Sequence, residues 1–508
     1  TPDRIEFDIS GSGPHVIAPE SYRPTVSEAV VIDGTTEPDY SGTPVVVLDG
    51  VPNDRDFGVV FTGTGSTLRG LSVIGFNNIG INLSGNGGHT VVGCYVGVHP
   101  DGTAPGNPGA GLLIGGDSVN NRIGGPDATD RNIIGGNGEE GIEAFGRTFP
   151  VEVIDSTVVQ NNWIGLAPDG TTAAGNGDDG LALGGPGDGV QVLDNVIASN
   201  GSRGVDAANI TNAIVQGNRI GTTSDGMAAR PNGSFALQCD GCENLQFGGT
   251  GDDEGNLVGA GFVDLISDDE GIGGIVVEGN VIGLDAAGTA EGSTDFGGGL
   301  LLRGDFDAPQ IGGPSSAARN VIANTTGGAG IDLDSYLSSQ PGDSATIENN
   351  YIGLDVSGTL DRHVAQDGIN ILSGNGHHII DNVVVAGDGT SDTWTAIDVG
   401  GNSSTPNDGA VVQGNRVGTR ADGTGSLGGV GTGLNCSFGE NATIRGTGDG
   451  EANRIVGSVA NGLRIGCTGS TVVGNVIGRD ADGTVVGNGR DGIYIPSIPD
   501  DTANITLG

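Results

Sequence analysis

The chain contains no lysine: all 20 of its basic residues are arginine, set against 63 acidic ones for a net charge of −43. That absence excludes any chemistry built on a lysine base. The charge excludes nucleic acid as a partner, because one polyanion repels another. Aromatic residues make up only 4%, so large rings are not filling a wide globular core. No apolar stretch approaches the roughly 18–20 residues of a membrane-spanning helix, which argues against membrane insertion. Helical periodicity of useful length is missing as well. Cysteine is sparse, at five residues, and five cannot all pair within one chain.

The acid excess has a physical consequence. Self-repulsion at −43 is costly in dilute buffer, yet at ~1 M salt the Debye length falls to about 3 Å and the cost largely vanishes. Acid-rich, lysine-free surfaces of this kind point to a salt-loving microbe. A GC-rich genome alone would explain the missing lysines but not the acid excess. The expected result is a melting temperature that climbs from low to molar salt; a flat profile in a thermal melt would end the halophile reading.

What is abundant is glycine, 101 residues, and it arrives in a repeat. NNWIGLAPDGT at 161–171 returns as GNVIGLDAAGT at 279–289, NNYIGLDVSGT at 349–359, GNRVGTRADGT at 414–424 and GNVIGRDADGT at 474–484, with earlier copies at 93–103 and 217–227. The period is about 63 residues, the mark of a stacked repeat architecture. Each period carries an Asn-x-Ile-Gly strand with an Asp-Gly-Thr turn, a Gly-Ile-x-Leu strand (GLLL at 299–302, GINI at 368–371), and an Ile-Gly-Gly-Pro corner at 123–126 and 311–314. Short alternating runs bounded by Gly, Asn, Asp and Pro predict short strands and tight corners. Reading the three motifs as three coils predicts roughly 21 residues per coil and about 22 coils with rungs about 4.8 Å apart, a rod on the order of 100 Å long. The recurring asparagines (Asn195, Asn218, Asn280, Asn320, Asn350, Asn415 and Asn475) are expected to stack as a ladder, each amide bonding to its neighbour one rung away.

On these motifs the sequence resembles the pectin-lyase-like right-handed parallel β-helix proteins, within them a repeat group with Asn-x-Ile-Gly-x4-Gly-Thr units. The resemblance covers essentially the whole chain and implies an all-β, three-sheet solenoid. IEFDI at 5–9, HVIAP at 15–19 and VVIDGTTEP at 30–38 look like that group's N-terminal capping coils, giving expected boundaries of 1–60 for the cap and 61–508 for the helix proper. With strand alternation starting at residue 1 and no leader ahead of it, the chain reads as a processed protein or a piece of a longer one. The resemblance says little about activity, since the fold carries lyases, hydrolases, epimerases, tailspikes and adhesins alike.

Candidate site residues come from the x of Gly-Ile-x-Leu. Its neighbours point inward, so x points out, and successive coils line these residues up. The series runs Asp332, Asn370, Asp398, Asn435, Arg464 and Tyr494, with Asp334 two residues past Asp332; an earlier series of Asn82, Leu113, Glu143, Ala182 and Asp206 is weaker. Carboxylates one and two rungs apart are about 5 and 10 Å apart, bracketing the spacings of retaining and inverting glycoside hydrolysis. Asp332, Asp398 and Arg464 are the catalytic candidates, and Asn370, Asn435, Tyr494 and Asp334 the substrate-binding ones. Asp332, Asp334 and Asp398 are also candidate calcium ligands, although no cofactor is required. A wet sheet face lined by this protein's default polar residues is the bland alternative. Asp178-Asp179 resembles one element of the polygalacturonate hydrolases, but their Gly-His-Gly and Arg-Ile-Lys elements are missing.

His89 and the His377-His378 pair sit in equivalent turns and read as turn chemistry, as do the Asp-Gly-Thr triplets. Cys239 and Cys242 form either a local disulfide or, with the other cysteines, small core residues. Segments 292–299 and 331–344 are the expected cleft walls. Two functions remain open: a secreted or cell-surface protein that binds, with or without cleaving, an extracellular polysaccharide or cell-surface glycan, or a non-catalytic adhesin or stalk segment. If an enzyme, it is a polysaccharide hydrolase or lyase.

Overall fold

The computed structural model describes all residues other than 1, 21–24, 52–55, 146, 149–150, 268–270, 290–297, 326, 335–343, 388–392, 402–405, 447, 449 and 497–503. The chain divides into two units, Thr1–Cys242 and Glu243–Gly508. Within each, three strands per coil feed three parallel sheets: Val158–Gln160, Trp163–Ile164 and Leu181–Asp188 are the successive faces of one coil in the first unit. Among the described residues there are three large sheets of 17, 16 and 15 strands, and six more strands form three two-stranded pairs. No helix among the described residues is long and apolar enough to cross a membrane.

The coil is longer than the sequence suggests. Neighbouring coils are separated by 30 residues at Asn132 and Asn162, 33 at Asn162 and Asn195, and 40 at Asn280 and Asn320. The 63-residue period therefore holds two coils of about 31 residues, and the three motifs are faces of one coil rather than three coils. Part of the excess length is the Asp-Gly-Thr excursion, which falls in every second coil. It closes a small antiparallel loop, with Leu166 bridging Ala173 and Leu354 bridging Asp361, and adds residues without adding a rung. Loops two coils apart hydrogen-bond directly, Ser224 N–H to the Gly170 carbonyl at 2.9 Å and Ala421 N–H to Gly358 at 2.8 Å.

Asparagine sets the register of the coils. In the first unit the Nδ2 groups of Asn132, Asn162 and Asn195 donate to Oδ1 of Asn162, Asn195 and Asn218 at 2.9–3.1 Å. In the second, the same chain runs from Asn256 to Asn475 through Asn280, Asn320, Asn350, Asn382, Asn415 and Asn453 at 2.8–3.0 Å. Asn320 illustrates why the residue is needed: buried completely, it donates to the Val277 carbonyl and to Asn350, while its own oxygen takes the backbone and side-chain N–H groups of Asn280. Every polar group at the corner is thereby paired away from water. Asn107, Asn137, Asn176, Asn200 and Asn232 build a second ladder in the first unit.

Between the sheets lies a narrow apolar core, for example Ile331, Ile369, Ile397, Leu434 and Leu463, all fully buried and each contributing roughly 1.5–3 kcal/mol. Gly368 marks a corner where coils touch: a Cβ there would meet Ala396 O at 2.5 Å and Val384 Cγ1 at 2.3 Å.

The cysteines are a partial correction. Cys239 and Cys242 are disulfide-bonded, and so are Cys436 and Cys467, separated by 31 residues. The second pair was unreadable from sequence because a full coil lies between its members. Cys94 alone is a free, buried thiol, which burial pushes up to about 12, so it behaves as a core residue.

Candidate functional site

Six strands of the second unit present the site: Ile331–Asp334, Ile369–Ile371, Thr395–Asp398, Thr432–Cys436, Leu463–Ile465 and Ile493–Tyr494. Buried Ile and Leu anchor the first five, and the alternation turns the intervening residue outward; in the sixth, Ile493 is itself exposed. The register places Asp332 against Asn370, Asn370 against Asp398, Asp398 against Asn435, Asn435 against Arg464 and Arg464 against Tyr494. The predicted ladder thus occupies six consecutive rungs.

Its members are wired together. Asn370 Nδ2 donates to Asp332 at 3.0 Å and Asn435 Nδ2 to Asp398 at 2.9 Å. The second oxygen of Asp398 takes the Gly400 N–H at 2.9 Å. Arg464 Nη1 reaches Asn435 Oδ1 at 3.2 Å and Ser437 Oγ at 2.6 Å. Both partners are neutral, and among the described residues Arg464 makes no ion pair. Asp334 lies on the Asp332 strand in register with Arg303, whose guanidinium pairs with the buried Asp264.

Burial drives Asp332, Asp367 and Asp398 toward the protonated form. Asp332 is pushed up to about 6 by burial, then by Asp334, against the hydrogen bond from Asn370. Asp398 is raised by burial despite Asn435, Gly400 and Arg464. Asp367, which the sequence reading missed, is pushed up to about 7 by burial with Asp398 and Asp332 adding to it. It stands just before the Gly-Ile-x-Ile strand, and its carboxylate accepts the Thr395 N–H of the next rung. Asp179 and Asn461 precede the glycine of their own strands and cap Arg203 N–H and Asp491 N–H in the same way. The available signal was a polar residue before that glycine, repeated from coil to coil.

Asp398, Asn435, Arg464 and Tyr494 line a half-open groove of about 560 Å³, joined by Thr395, Thr432, Asn461, Arg490 and Asp491. Tyr494 is 40% exposed. Asp332, Asn370 and Asp334 lie outside this groove, farther along the face. Asp332, Asp334 and Asp398 are not gathered into one ligand set: Asn370 occupies the rung between the first and last, and among the described residues the convergent metal-type cluster is elsewhere. The cleft-wall segments 292–299 and 331–344 lie largely outside the described residues.

No family profile and no curated protein sequence matches the chain. Among solved structures it is similar to tailspike protein 3 of bacteriophage CBA120 at 9% identity, covering 95% of this chain and 56% of that one with a TM-score of 0.27. A periplasmic alginate epimerase, AlgG, is similar at 10% identity over 98% of this chain and 78% of its own, TM-score 0.25. The PL6-family alginate lyase AlyGC is similar at 10% over 97% and 96%, TM-score 0.27. The chain spans a little over half of the tailspike's length. The chain is a right-handed parallel β-helix.

The remaining β-helix features resolve as structure. His89 and His377 are both buried; each accepts a backbone N–H at Nδ1, from Ser66 and Ala345, and turns Nε2 to a carbonyl, of Ser84 and Ser373. A neutral ring serves that role, and burial lowers the His89 pKa accordingly. In the turns, Asp101 and Asp169 take N–H and hydroxyl bonds from Thr103, Thr171 and Thr172 and are held down at about 2. In the first unit the weaker ladder aligns Leu113, Glu143, Ala182, Asp206 and Gln238. Burial, with Glu140 and Glu139, lifts Glu143 to about 7. There Arg203 is neutralised by Asp206 and Asp179, unlike Arg464.

Proposed function

We propose that the outer face around Asp398, Asn435, Arg464 and Tyr494 binds an extracellular polysaccharide or cell-surface glycan, with the protein outside the cell or on its surface. The observation that carries this reading is the half-open groove in which an exposed tyrosine stands one rung from an arginine that makes no ion pair among the described residues and three rungs from a half-buried carboxyl. An aromatic face offers a stacking surface to a sugar ring, while Asp398 accepts hydroxyl hydrogen bonds and Arg464 donates them. One rung advances about 4.8 Å, close to one hexose, so a chain lying along the ladder meets a fresh polar pair at each sugar. The titratable neighbours favour a neutral glycan, or a uronate only where salt screens the acid excess.

For cleavage, the ladder offers Asp332 and Asp398, two rungs or about 10 Å apart, a separation nearer the inverting than the retaining geometry. A carboxyl raised to about 6, as at Asp332, is a competent proton donor near neutral pH. Asp398, once ionised, is then the base that activates water, and Arg464, two rungs past Asp398 and four from Asp332, holds the sugar chain rather than the departing oxygen.

A polysaccharide array in molar salt, read for retention, reducing ends and unsaturated products, separates the two functions. Binding is expected to fall about tenfold or more in Arg464→Ala and Tyr494→Ala, the loss of one or two sugar contacts. Turnover that persists in both Asp332→Asn and Asp398→Asn sinks the catalytic assignment. Retention without turnover favours the adhesin or stalk, and no retention on any glycan removes the carbohydrate reading.

A further inference from the structure

At the start of the first unit three side chains converge: His15, Glu37 and Asp39. Residues 7–15 run across the turn at 34–39 and are tied to it by backbone N–H bonds. Phe7 donates to Thr36 Oγ1 at 2.8 Å, Ile9 to Glu37 Oε2 at 3.0 Å, and Gly13 to Asp39 Oδ2. Each carboxylate thus spends one oxygen on the backbone. The other two, Glu37 Oε1 and Asp39 Oδ1, face His15 Nε2 at 3.6 and 3.7 Å.

Those separations are too long for hydrogen bonds, and His15 Nε2 is enclosed without a hydrogen-bond partner. The His15 side chain is 9% exposed and that of Glu37 1%. An enclosed imidazole nitrogen aimed at two pinned carboxylates, one of them fully buried, is an incomplete arrangement as it stands. It is also a ligand set. Ligands about 2.0–2.1 Å from a tetrahedral ion stand about 3.4 Å from one another, so a small inward movement of the three atoms, all within 4.8 Å of each other, suffices.

We propose that His15 Nε2, Glu37 Oε1 and Asp39 Oδ1 bind one divalent transition-metal ion of the zinc class. A nitrogen ligand with two carboxylate oxygens suits zinc and its first-row neighbours, whereas calcium and magnesium take oxygen ligands. Asp39 is the partly exposed member, 36% by side chain, which leaves an open side for a water ligand. The ion is a staple. The strand Asp3–Glu6 is exposed along its whole length and pairs with Val30–Asp33, so burial does little to hold it. A metal would tie residues 9–15 to the next coil through two ligands whose other oxygens already hold Ile9 and Gly13.

The test uses the full chain stripped of metal, in molar NaCl with millimolar calcium present to suppress loose binding to the acidic surface. Cobalt(II) is added to follow its visible absorption, and zinc to follow hydrogen exchange. The expected result is one cobalt site with a tetrahedral-type band, displaced by zinc. Exchange at the Ile9 and Gly13 amides should slow about 100-fold at zinc 100 times its Kd. His15→Ala and Asp39→Asn should both lose the band and the slowing; the second keeps an oxygen for the Gly13 N–H, so a disordered segment in the first does not decide the matter. No band in the native chain, or an unchanged band in both variants, overturns the site.

Discussion

Replacing Asn320 with alanine is expected to destabilise the second unit by roughly 3–5 kcal/mol, the cost of stranding two or more buried polar groups. The residue is fully buried, and its amide is the partner of the Asn280 backbone N–H, the Asn280 side chain and the Val277 carbonyl. Alanine leaves the first and last of these without a partner in a corner that water does not enter. Asn320→Asp should be worse at neutral pH, because an oxygen replaces the donor facing Val277 O and Asn350 Oδ1 and brings a buried charge with it. Asn475→Ala, at the far rung of the same ladder and only partly buried, should cost about 1 kcal/mol. Stacked coils open locally, so native-state hydrogen exchange around Val277–Glu278 and Val321–Ile322 is the measurement. Equal, small losses at all three positions would show that the ladder follows the coils rather than holding them.

Stability of the second unit is expected to fall as pH rises from about 4 to about 7, and Asp367→Asn should abolish much of that fall. The folded-state values lie above the usual aspartate value of 3.8: Asp332 is at about 6, Asp367 at about 7, and Asp398 is raised. Between the unfolded and folded values the native state holds more protons. The stabilisation is therefore complete below about pH 4 and lost as pH climbs through 6 and 7. For Asp367 the change is on the order of 4 kcal/mol. Asparagine keeps an acceptor for the Thr395 N–H but cannot ionise, so the variant should be more stable than the native chain at pH 8 and alike at pH 4. Denaturation at both pH values, repeated in molar salt, checks this. Surface self-repulsion follows the same pH direction but fades with salt, whereas a buried group is screened far less. If Asp367→Asn gains nothing at pH 8 in molar salt, the carboxyl is better solvated than its position indicates.

Much of the molecule was legible beforehand because it depends on local patterns. Alternation of Ile and Leu around a polar residue, with Gly before it, places Asp332, Asn370, Asp398, Asn435, Arg464 and Tyr494 on one face whatever the coil length. An Asp-Gly pair acts on atoms two or three residues away, and the paired histidine turns betrayed a structural role by recurring. Coil length was not legible: three motifs per period look the same whether they are three coils or the three faces of one, and the loops that lengthen alternate coils look like ordinary turns. The Cys436–Cys467 bond and the role of Asp367 were hidden for a related reason, since each depends on a partner one coil away.

The sequence by itself determined the repeat, the strand-rich parallel β-helix, the outward ladder and the acid excess, because periodicity and charge are summed along the chain. Only the tertiary structure decided what each coil meets next. It set Asp332, Asp398 and Arg464 on their particular rungs, raised the buried carboxyls, left Arg464 beside neutral partners, and drew His15 onto Glu37 and Asp39. These properties depend on desolvation and on distances of a few ångströms between residues some 20 to 40 positions apart, which coil length controls and local pattern does not encode.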